Sequence, residues 1–314
     1  MKISVIVPLY NEEKCIPKLV KHFNLFAQKN SNLLIQFIFV DDGSVDQTYN
    51  VLKTSVLELS QDTIIIQLTR NFGQTAALSA GINNATGEIL ITIDGDLQND
   101  IFDVPLLIES LGKGYDVVCG WRKKRSDNYI SRLLPSKIAN WIISKISGVH
   151  LHDYGCTLKA YKREILKDIK LYGEMHRFMP IYISWQGGRI LEVPVKHNKR
   201  ILGKSKYGIW RTFSVIADLI FLKFMEKQFS NPIHLFGGFA IINFILSLLS
   251  FTLMIYYKYF GDKSFIQTPL PELTILFLMV GTLSIFMGFI AEIIMRTYFE
   301  SQNISPYNIR KLDD

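Results

Sequence analysis

Two apolar runs near the C-terminal end constrain this chain more than any other feature. Residues 233–256, IHLFGGFAIINFILSLLSFTLMIY, contain no Asp, Glu, Lys or Arg. Residues 273–295, LTILFLMVGTLSIFMGFIAEIIM, contain one acid, Glu292. As helices rising about 1.5 Å per residue, each reaches about 35 Å, enough for the hydrocarbon core of a bilayer. A segment in lipid must satisfy its own backbone polar groups, which makes both runs helical. The link between them, YKYFGDKSFIQTPLPE, is nearly neutral, whereas Arg296, Arg310 and Lys311 follow the second run and a basic region precedes the first. The positive-inside rule therefore predicts both termini in the cytosol and the short link outside. Gly237, Gly238, Gly281 and Gly288 permit close helix contacts, within one chain or between copies.

The 48% hydrophobic content is high because of these runs. The preceding residues carry the chemistry of a soluble domain, and the first strand-like run starts at Lys2 with no long apolar leader before it. Cys15, Cys119 and Cys156 have no C-x-x-C spacing and leave one thiol over in any disulfide scheme, so they are expected to be reduced. The net charge of +7 suits nucleic acid, anionic lipid or phosphorylated substrates and does not choose among them. Residues 208–232 mix helix-spaced apolar positions with Arg211, Asp218, Lys223 and Lys227. They read as juxtamembrane amphipathic helices or as a core-facing helix of the domain. The expected organisation is a domain over 1–207, this amphipathic stretch over 208–232, a two-helix membrane region over 233–296 and a tail over 297–314.

Over the first 121 residues, strand-like and helix-like runs alternate. KISVIVP (2–8), LIQFIFVDD (34–42), TIIIQLT (63–69), GEILITID (87–94) and YDVVCGW (115–121) are rich in β-branched residues. Helical runs lie near 14–29, 46–59 (with Asp46 as N-cap), 74–84 and 103–112. This is the pattern of an α/β domain with a mainly parallel sheet covered on both faces. Ligands of such sheets bind beyond the carboxyl ends of the strands. Polar clusters fall at those ends: PLYNEE, DDGSVD, TRNFGQ and DGDLQND. No G-x-G-x-x-G follows the first strand, and no Walker A sequence is present, which disfavours dinucleotide and P-loop sites.

The sharpest of these clusters is in LITIDGDLQND, where an apolar strand ends in Asp94 and Asp96. Residues i and i+2 of an extended chain share a side. Two carboxylates so placed repel each other and raise each other's pKa unless a cation or a donor sits between them.

Taken in order, VIVPLYNEE, VDDGSVDQT, RNFGQTAALSAG, ATGEILITIDGDLQ, HDYGCTLKAYKRE and RILGKSKY, followed by two apolar spans, resemble the family 2 inverting glycosyltransferases. The resemblance is closest to the polyprenyl-phosphate glycosyltransferases, which include dolichol-phosphate mannose synthase and the bacterial undecaprenyl-phosphate glucosyl- and aminoarabinosyl-transferases. It covers essentially the whole chain. The Q-x-x-R-W motif of processive synthases is absent, which implies one sugar per acceptor. The resemblance implies a GT-A fold, a nucleotide-sugar donor, a polyprenyl phosphate acceptor and a bacterial inner-membrane location, with no nucleic-acid partner. It allows a tetramer.

It also implies site roles. Asp96, with Asp94, holds Mg2+ or Mn2+ against the donor diphosphate; a hard cation there stabilises the leaving group. Asp94 and Gln98 serve as ribose, metal or second-layer ligands. Pro8, Tyr10 and Glu12 form the first nucleotide-binding loop, and Asp42 reads base or ribose. Arg70 and Asn71 are placed to contact the nucleotide, or Asn71 serves as a local turn residue. Arg122 and Arg132 meet the lipid phosphate, as do Arg200, Ser205 and Lys206 in a loop near diphosphate and acceptor. Asp153 is the residue placed as catalytic base. A phosphate monoester is largely ionised at neutral pH, so Asp153 is expected mainly to orient a substrate, and it needs a cation such as Arg122, Arg200 or Lys206 beside it. His152 is the alternative base. UDP-glucose is the first expectation for the donor, with UDP-N-acetylhexosamine and UDP-aminoarabinose types next, serving cell-envelope or lipopolysaccharide modification. A membrane-anchored nucleotidyltransferase and a catalytically dead scaffold are the competing classes.

The topology is testable directly. Single cysteines introduced at 262 and 312 should react with impermeant maleimides from opposite sides of the membrane. Labelling from one side would rule out the two-span arrangement.

Overall fold

The computed structural model describes residues 1–123, 134–166, 173, 175–198, 232–261 and 263–302. The chain divides into two compact units, Met1–Phe221 and Leu222–Asp314. The expected boundary at 207/208 and the amphipathic stretch 208–231 lie outside the described residues.

Seven strands form the sheet of the first unit: β1 (Lys2–Leu9), β2 (Leu34–Asp41), β3 (Asp62–Gln67), β4 (Ile89–Thr92), β5 (Val117–Trp121), β6 (Lys159–Lys162) and β7 (Ile190–Pro194). Their order is β3-β2-β1-β4-β6-β5-β7. Only β6 runs against its neighbours β4 and β5; the other pairs are parallel. The expected mainly parallel sheet is therefore present. The two last strands were not foreseen. Strand order reverses at β1, which lies between β2 and β4, so a crevice opens at the carboxyl ends of these strands. Because β6 is antiparallel and begins beside Thr92 and Cys119, the segment leading into it lies at that same edge.

The helices follow from the sequence pattern. In α1 (Ile16–Lys29), Leu19, Val20, Phe23, Phe26 and Ala27 share the face against the sheet, and Pro17 opens the first turn. Phe23 lies 5.2 Å from Phe37 and 5.9 Å from Phe39 of β2, between ring centroids. The helix expected from Asp46 is α2 (Thr48–Ser55), extended by a 3-10 turn, Val56–Glu58. Gln47, not Asp46, is its N-cap. The Asp46 carboxylate accepts from the Thr48 N–H at 3.0 Å, forming a turn just ahead of the helix. The helices α3 (Gln74–Asn83) and α4 (Val104–Gly112) lie within a residue of their expected bounds. Beyond them come α5 (Leu134–Ser147), α6 (Arg163–Leu166) and α7 (Met179–Trp185). All three cysteines are free thiols and buried, as expected.

The second unit is a hairpin of α8 (Pro232–Phe260) and α9 (Leu270–Gln302). Pro232–Phe260 and Leu270–Met295 are long and apolar enough to cross a membrane, with mean hydropathy 2.2 and 2.3. Ser247 Oγ donates to the Thr274 carbonyl at 2.9 Å, and Ser250 Oγ to the Leu270 carbonyl at 3.1 Å. Gly281 and Gly288 lie against Phe244 and Phe236 of α8, so these two glycines serve contacts within the chain.

One close approach in the first unit is decisive. Gly43, after β2, has φ +63°, and a Cβ there would fall 2.2 Å from the Arg70 carbonyl carbon. Gly43→Ala should destabilise by about 2 kcal/mol from the left-handed conformation alone, lowering the melting temperature by about 4–8 °C. Gly112→Ala, which meets nothing within 4 Å, is the control. Equal melting of the two variants would contradict this.

Candidate active site

The site is a row of loops at the carboxyl edge of the sheet, each tied to the next by a side chain. After β1, Asn11 adopts φ 50°. Its N–H donates to Ser44 Oγ at 2.9 Å, while its Oδ1 accepts from the Val45 N–H at 2.9 Å. The Glu12 N–H donates to Thr48 Oγ1 at 2.8 Å. Pro8, at the end of β1, and Tyr10 and Glu12 beyond it are thereby held against the β2 loop carrying Asp42.

Asp42 is itself a tether. Its carboxylate accepts from the Phe72 N–H at 2.8 Å, the Gly73 N–H at 2.9 Å and Asn71 Nδ2 at 3.0 Å. Burial pushes its pKa up, the Phe72 and Gly73 N–H groups pull it back, and Asp41 raises it further. Of the two roles expected for Asn71, the structure shows the one of shaping its turn. Arg70 instead lies over the Phe72 ring, 4.3 Å from its centroid. Asp41 accepts from the Ser44 N–H at 3.2 Å.

The next tie reaches the acidic pair. Gln74, the first residue of α3, donates from Nε2 to Asp94 Oδ1 at 2.8 Å. Thr157 supplies a further side-chain hydrogen bond to Asp94. Asp94 is pushed up to about 6, first by burial and then by the charge of Asp96; Thr157, Arg122 and Arg177 counteract this. Asp96 Oδ1 accepts from the Gln98 N–H at 3.1 Å across Leu97, whose φ is +61°. A non-glycine residue in that region is strained, and such strain collects at functional turns. Among the described residues no three His, Cys, Asp or Glu side chains converge as a complete metal cage. Two neighbouring carboxylates, one of them hindered in ionising by burial and by the charge of the other, are a hard oxygen donor set. They fit a divalent cation that takes its remaining ligands from water and a diphosphate.

Beyond the acidic turn, Asn99 Nδ2 donates to Thr157 Oγ1 at 2.9 Å. The Gln98 carbonyl accepts from the Asn198 N–H at 2.8 Å, and Asp103 accepts from the Lys196 N–H at 2.7 Å. The chain that leads into Arg200, Ser205 and Lys206 is thus fastened to the acidic turn two residues before Arg200. Those three residues, and Arg132, lie outside the described residues.

On the other side of β4 stand Arg122, at the end of β5, and Asp153, ahead of β6. Arg122 Nε donates to Asp153 Oδ2 at 2.6 Å, and Arg122 Nη2 to Oδ1 at 2.8 Å. The cation that Asp153 was expected to need is therefore in place. Burial alone would lower the Arg122 pKa, but the hydrogen bonds and charge of Asp153 outweigh it and hold the guanidinium protonated. Two of the five guanidinium N–H donors are engaged with Asp153.

Residues that the sequence did not single out complete the geometry. Glu192 of β7 accepts from the Asp153 N–H at 2.8 Å and the His152 N–H at 3.0 Å, and its Oε2 lies 2.6 Å from His152 Nδ1. The His152 ring is stacked on Trp121, 4.3 Å between centroids. Gln74 and Thr157 hold Asp94. Arg177, on the 3-10 turn Met175–Arg177, reaches close enough to Asp94 to favour its ionised form. That turn is pinned by His176 Nδ1, 2.7 Å from Thr75 Oγ1.

Comparison with known proteins agrees with this geometry. Residues 4–170 match Glycosyl transferase family 2. The chain is 38% identical over 317 residues to a dodecaprenyl-phosphate galacturonate synthase of Rhizobium johnstonii, covering 100% of this chain and 94% of that protein. It is 33% identical over 312 residues to an undecaprenyl-phosphate 4-deoxy-4-formamido-L-arabinose transferase of Photorhabdus laumondii, covering 99% and 94%. Among solved structures, glucosyl-3-phosphoglycerate synthase of Mycobacterium tuberculosis, in complex with Mn2+ and UDP-glucose, superposes with TM-score 0.54. The identity is 17%, over 71% of this chain and 78% of that one. The last likeness is one of fold, and the fold is GT-A.

The raised Asp94 carboxyl has a consequence for stability. Its folded pKa of about 6 lies above the ordinary 3.8, so its contribution is full below about pH 3.8 and lost as pH rises through about 6. In EDTA at pH 7.5, Asp94→Asn should therefore melt above the wild type, and the gap should shrink below pH 5. A lower melting temperature for the variant at pH 7.5 would contradict the assignment.

Proposed function

The chain belongs to Glycosyl transferase family 2, among its polyprenyl-phosphate glycosyltransferases, and from that premise we propose how it works. One sugar passes from a nucleotide-sugar donor to the phosphate of an undecaprenyl-type lipid, with inversion at C1, on the cytosolic side of a bacterial inner membrane. The observation that carries this reading is the adjacency of two unlike charge arrangements at one sheet edge. An acidic pair at the end of β4 suits a metal-bridged diphosphate. A buried Arg–Asp pair at the ends of β5 and β6 suits a phosphate nucleophile.

On this reading Asp96 and Asp94 hold a divalent cation, Mg2+ or Mn2+, against the diphosphate; the Mycobacterium tuberculosis neighbour was solved with Mn2+ and UDP-glucose. When bound, the cation stabilises the charge that grows on the leaving nucleoside diphosphate. Gln74 and Thr157 keep Asp94 aimed. Pro8, Tyr10, Glu12 and Asp42 line the nucleotide side, with Asp42 acting through the Asn71–Gly73 turn that it holds. Arg122, with Arg132, Arg200, Ser205 and Lys206, receives the acceptor phosphate. Asp153, clamped by Arg122 on both oxygens, orients that guanidinium. An acceptor already ionised at neutral pH needs no base to lose a proton before it attacks. The two apolar helices cross the membrane with both termini in the cytosol. The division into a domain over 1–207, an amphipathic stretch over 208–232, a membrane region over 233–296 and a tail is part of the same proposal.

The donor sugar follows the relatives rather than the first sequence expectation. A galacturonate synthase at 38% identity and a formamido-arabinose transferase at 33% rank a uronic acid first, a formamidopentose second and glucose behind both. Arg177, beside Asp94, is a cation suited to a sugar that carries a carboxylate. Purified protein in nanodiscs with undecaprenyl phosphate should turn over UDP-galacturonate at least tenfold faster than UDP-glucose, about 1.4 kcal/mol of discrimination. Asp153→Asn should lose activity by a factor that stays flat or shrinks as pH rises past 6. Release of pyrophosphate instead of a nucleoside diphosphate, or no sugar transfer from any donor, would overturn the reading.

A further inference from the structure

The helix α5 follows the basic run WRKKRSDNYISR and has an outer face that the catalytic reading does not use. Its sequence, LPSKIANWIISKIS, contains two lysines and no acid. Its inner face is fastened to the catalytic loop. Asn140 Nδ2 donates to the His152 carbonyl at 2.7 Å, Ser144 Oγ lies 3.0 Å from the Tyr154 hydroxyl, and Ile143 is buried. Trp185 Nε1 donates to the Ser147 carbonyl at 2.9 Å. The opposite face carries Trp141, 62% exposed, with Lys145 four residues on and its Nζ 5.1 Å from the Trp141 ring centroid.

A tryptophan left this open is a large apolar area in water. Its amphipathic ring suits one environment above others, the headgroup zone of a bilayer, where a lysine one turn away extends its ammonium to the surface. We propose that the Trp141–Lys145 face of α5 rests on an anionic lipid surface and sets the depth at which the Arg122–Asp153 pair meets a lipid-borne phosphate.

Three observations favour a bilayer over another occupant. Charge is complementary, since the helix has cations and no acid to face anionic headgroups. The helix is tied by Asn140 to His152, and a further exposed cation stands beside that residue. Lys123 is exposed, with its Nζ 5.4 Å from the Trp121 ring centroid, and His152, beside Asp153, is stacked on that ring. A second copy of the chain docking here about a twofold axis would set two faces of one helix sequence together, each with lysines and no acid to pair with them. The inner hydrogen bonds then give the contact its use. They link Asn140 directly to the residue preceding Asp153, so the docked helix and the catalytic carboxylate move as one piece.

This inference rests on a polyprenyl phosphate acceptor, and the test separates the two. Full-length protein is placed in nanodiscs containing about one-third anionic phosphatidylglycerol, with brominated acyl chains. The chain has four tryptophans, and Trp141→Phe should remove a bromolipid-quenched component of their emission. Lys145→Gln should raise the apparent KM for undecaprenyl phosphate in these discs about fivefold, the factor that one interfacial cation contributes. It should leave the KM for a short, water-soluble prenyl phosphate unchanged. Unchanged quenching in Trp141→Phe overturns the proposal, whether Trp141 faces water or a second copy. So does an equal KM rise for both acceptors, which would make the helix merely structural. Failure of the wild type to use either acceptor would instead refute the acceptor reading.

Discussion

The mutual repulsion of Asp94 and Asp96 is the constraint around which the rest of the site is arranged. The turn that follows β4 carries the two carboxylates two residues apart, and Asp94 is shielded from water there. The protein answers with donors, not with distance. Gln74 and Thr157 bond Asp94, the Gln98 N–H bonds Asp96, and Leu97 takes a left-handed conformation to make that turn. Even so, burial first and the Asp96 charge second keep Asp94 well above an ordinary carboxylate. On the proposed reading a cation bound by this pair would remove the repulsion and turn it into binding energy.

The other loops extend the same principle. Loop backbones at the end of a sheet leave N–H groups without ladder partners, and these must be satisfied. Here carboxylates satisfy several of them: Asp42 for Phe72 and Gly73, Asp103 for Lys196, Glu192 for His152 and Asp153. Each bond joins segments from different strands, so the residues proposed for the nucleotide and for the acceptor form one stitched rim. The Arg122–Asp153 pair completes it. Its two-point contact fixes the guanidinium plane and engages both oxygens of Asp153, which on the proposed reading suits Asp153 to positioning rather than to taking a proton.

Much of the rim was legible in the sequence. The β-branched runs of β1 to β5 and the polar clusters that follow them marked both the sheet and its functional edge. The need for a cation beside Asp153 followed from electrostatics, and Arg122 meets it. What escaped was decided by tertiary structure. The strand β6, KAYK, is four residues long with a lysine at each end and carries no alternation to read. Glu192 in ILEVP reads as a solvent-facing acid of an alternating strand, yet its carboxylate is turned onto the His152–Asp153 backbone. Asp46 has the chemistry of an N-cap, but its bond to Thr48 closes a turn one residue early. The donor sugar was not legible, because a few polar contacts decide it within a shared scaffold. The relatives move the expectation from glucose towards a uronic acid.

The relief of the Asp94–Asp96 repulsion by a cation can be measured without catalysis. With a pKa of about 6, Asp94 holds about half a proton at pH 6, and a metal ion must displace it. Calorimetric titration of Mn2+ into the protein with a nucleoside diphosphate, repeated in buffers of different ionisation enthalpy, counts that proton. Proton release at pH 6 should be about half a proton greater in the wild type than in Asp94→Asn, the terminal phosphate of the nucleotide contributing equally to both, and at pH 8 the two should release alike. Binding at pH 6 with no proton released, or with the same release in Asp94→Asn, would contradict it.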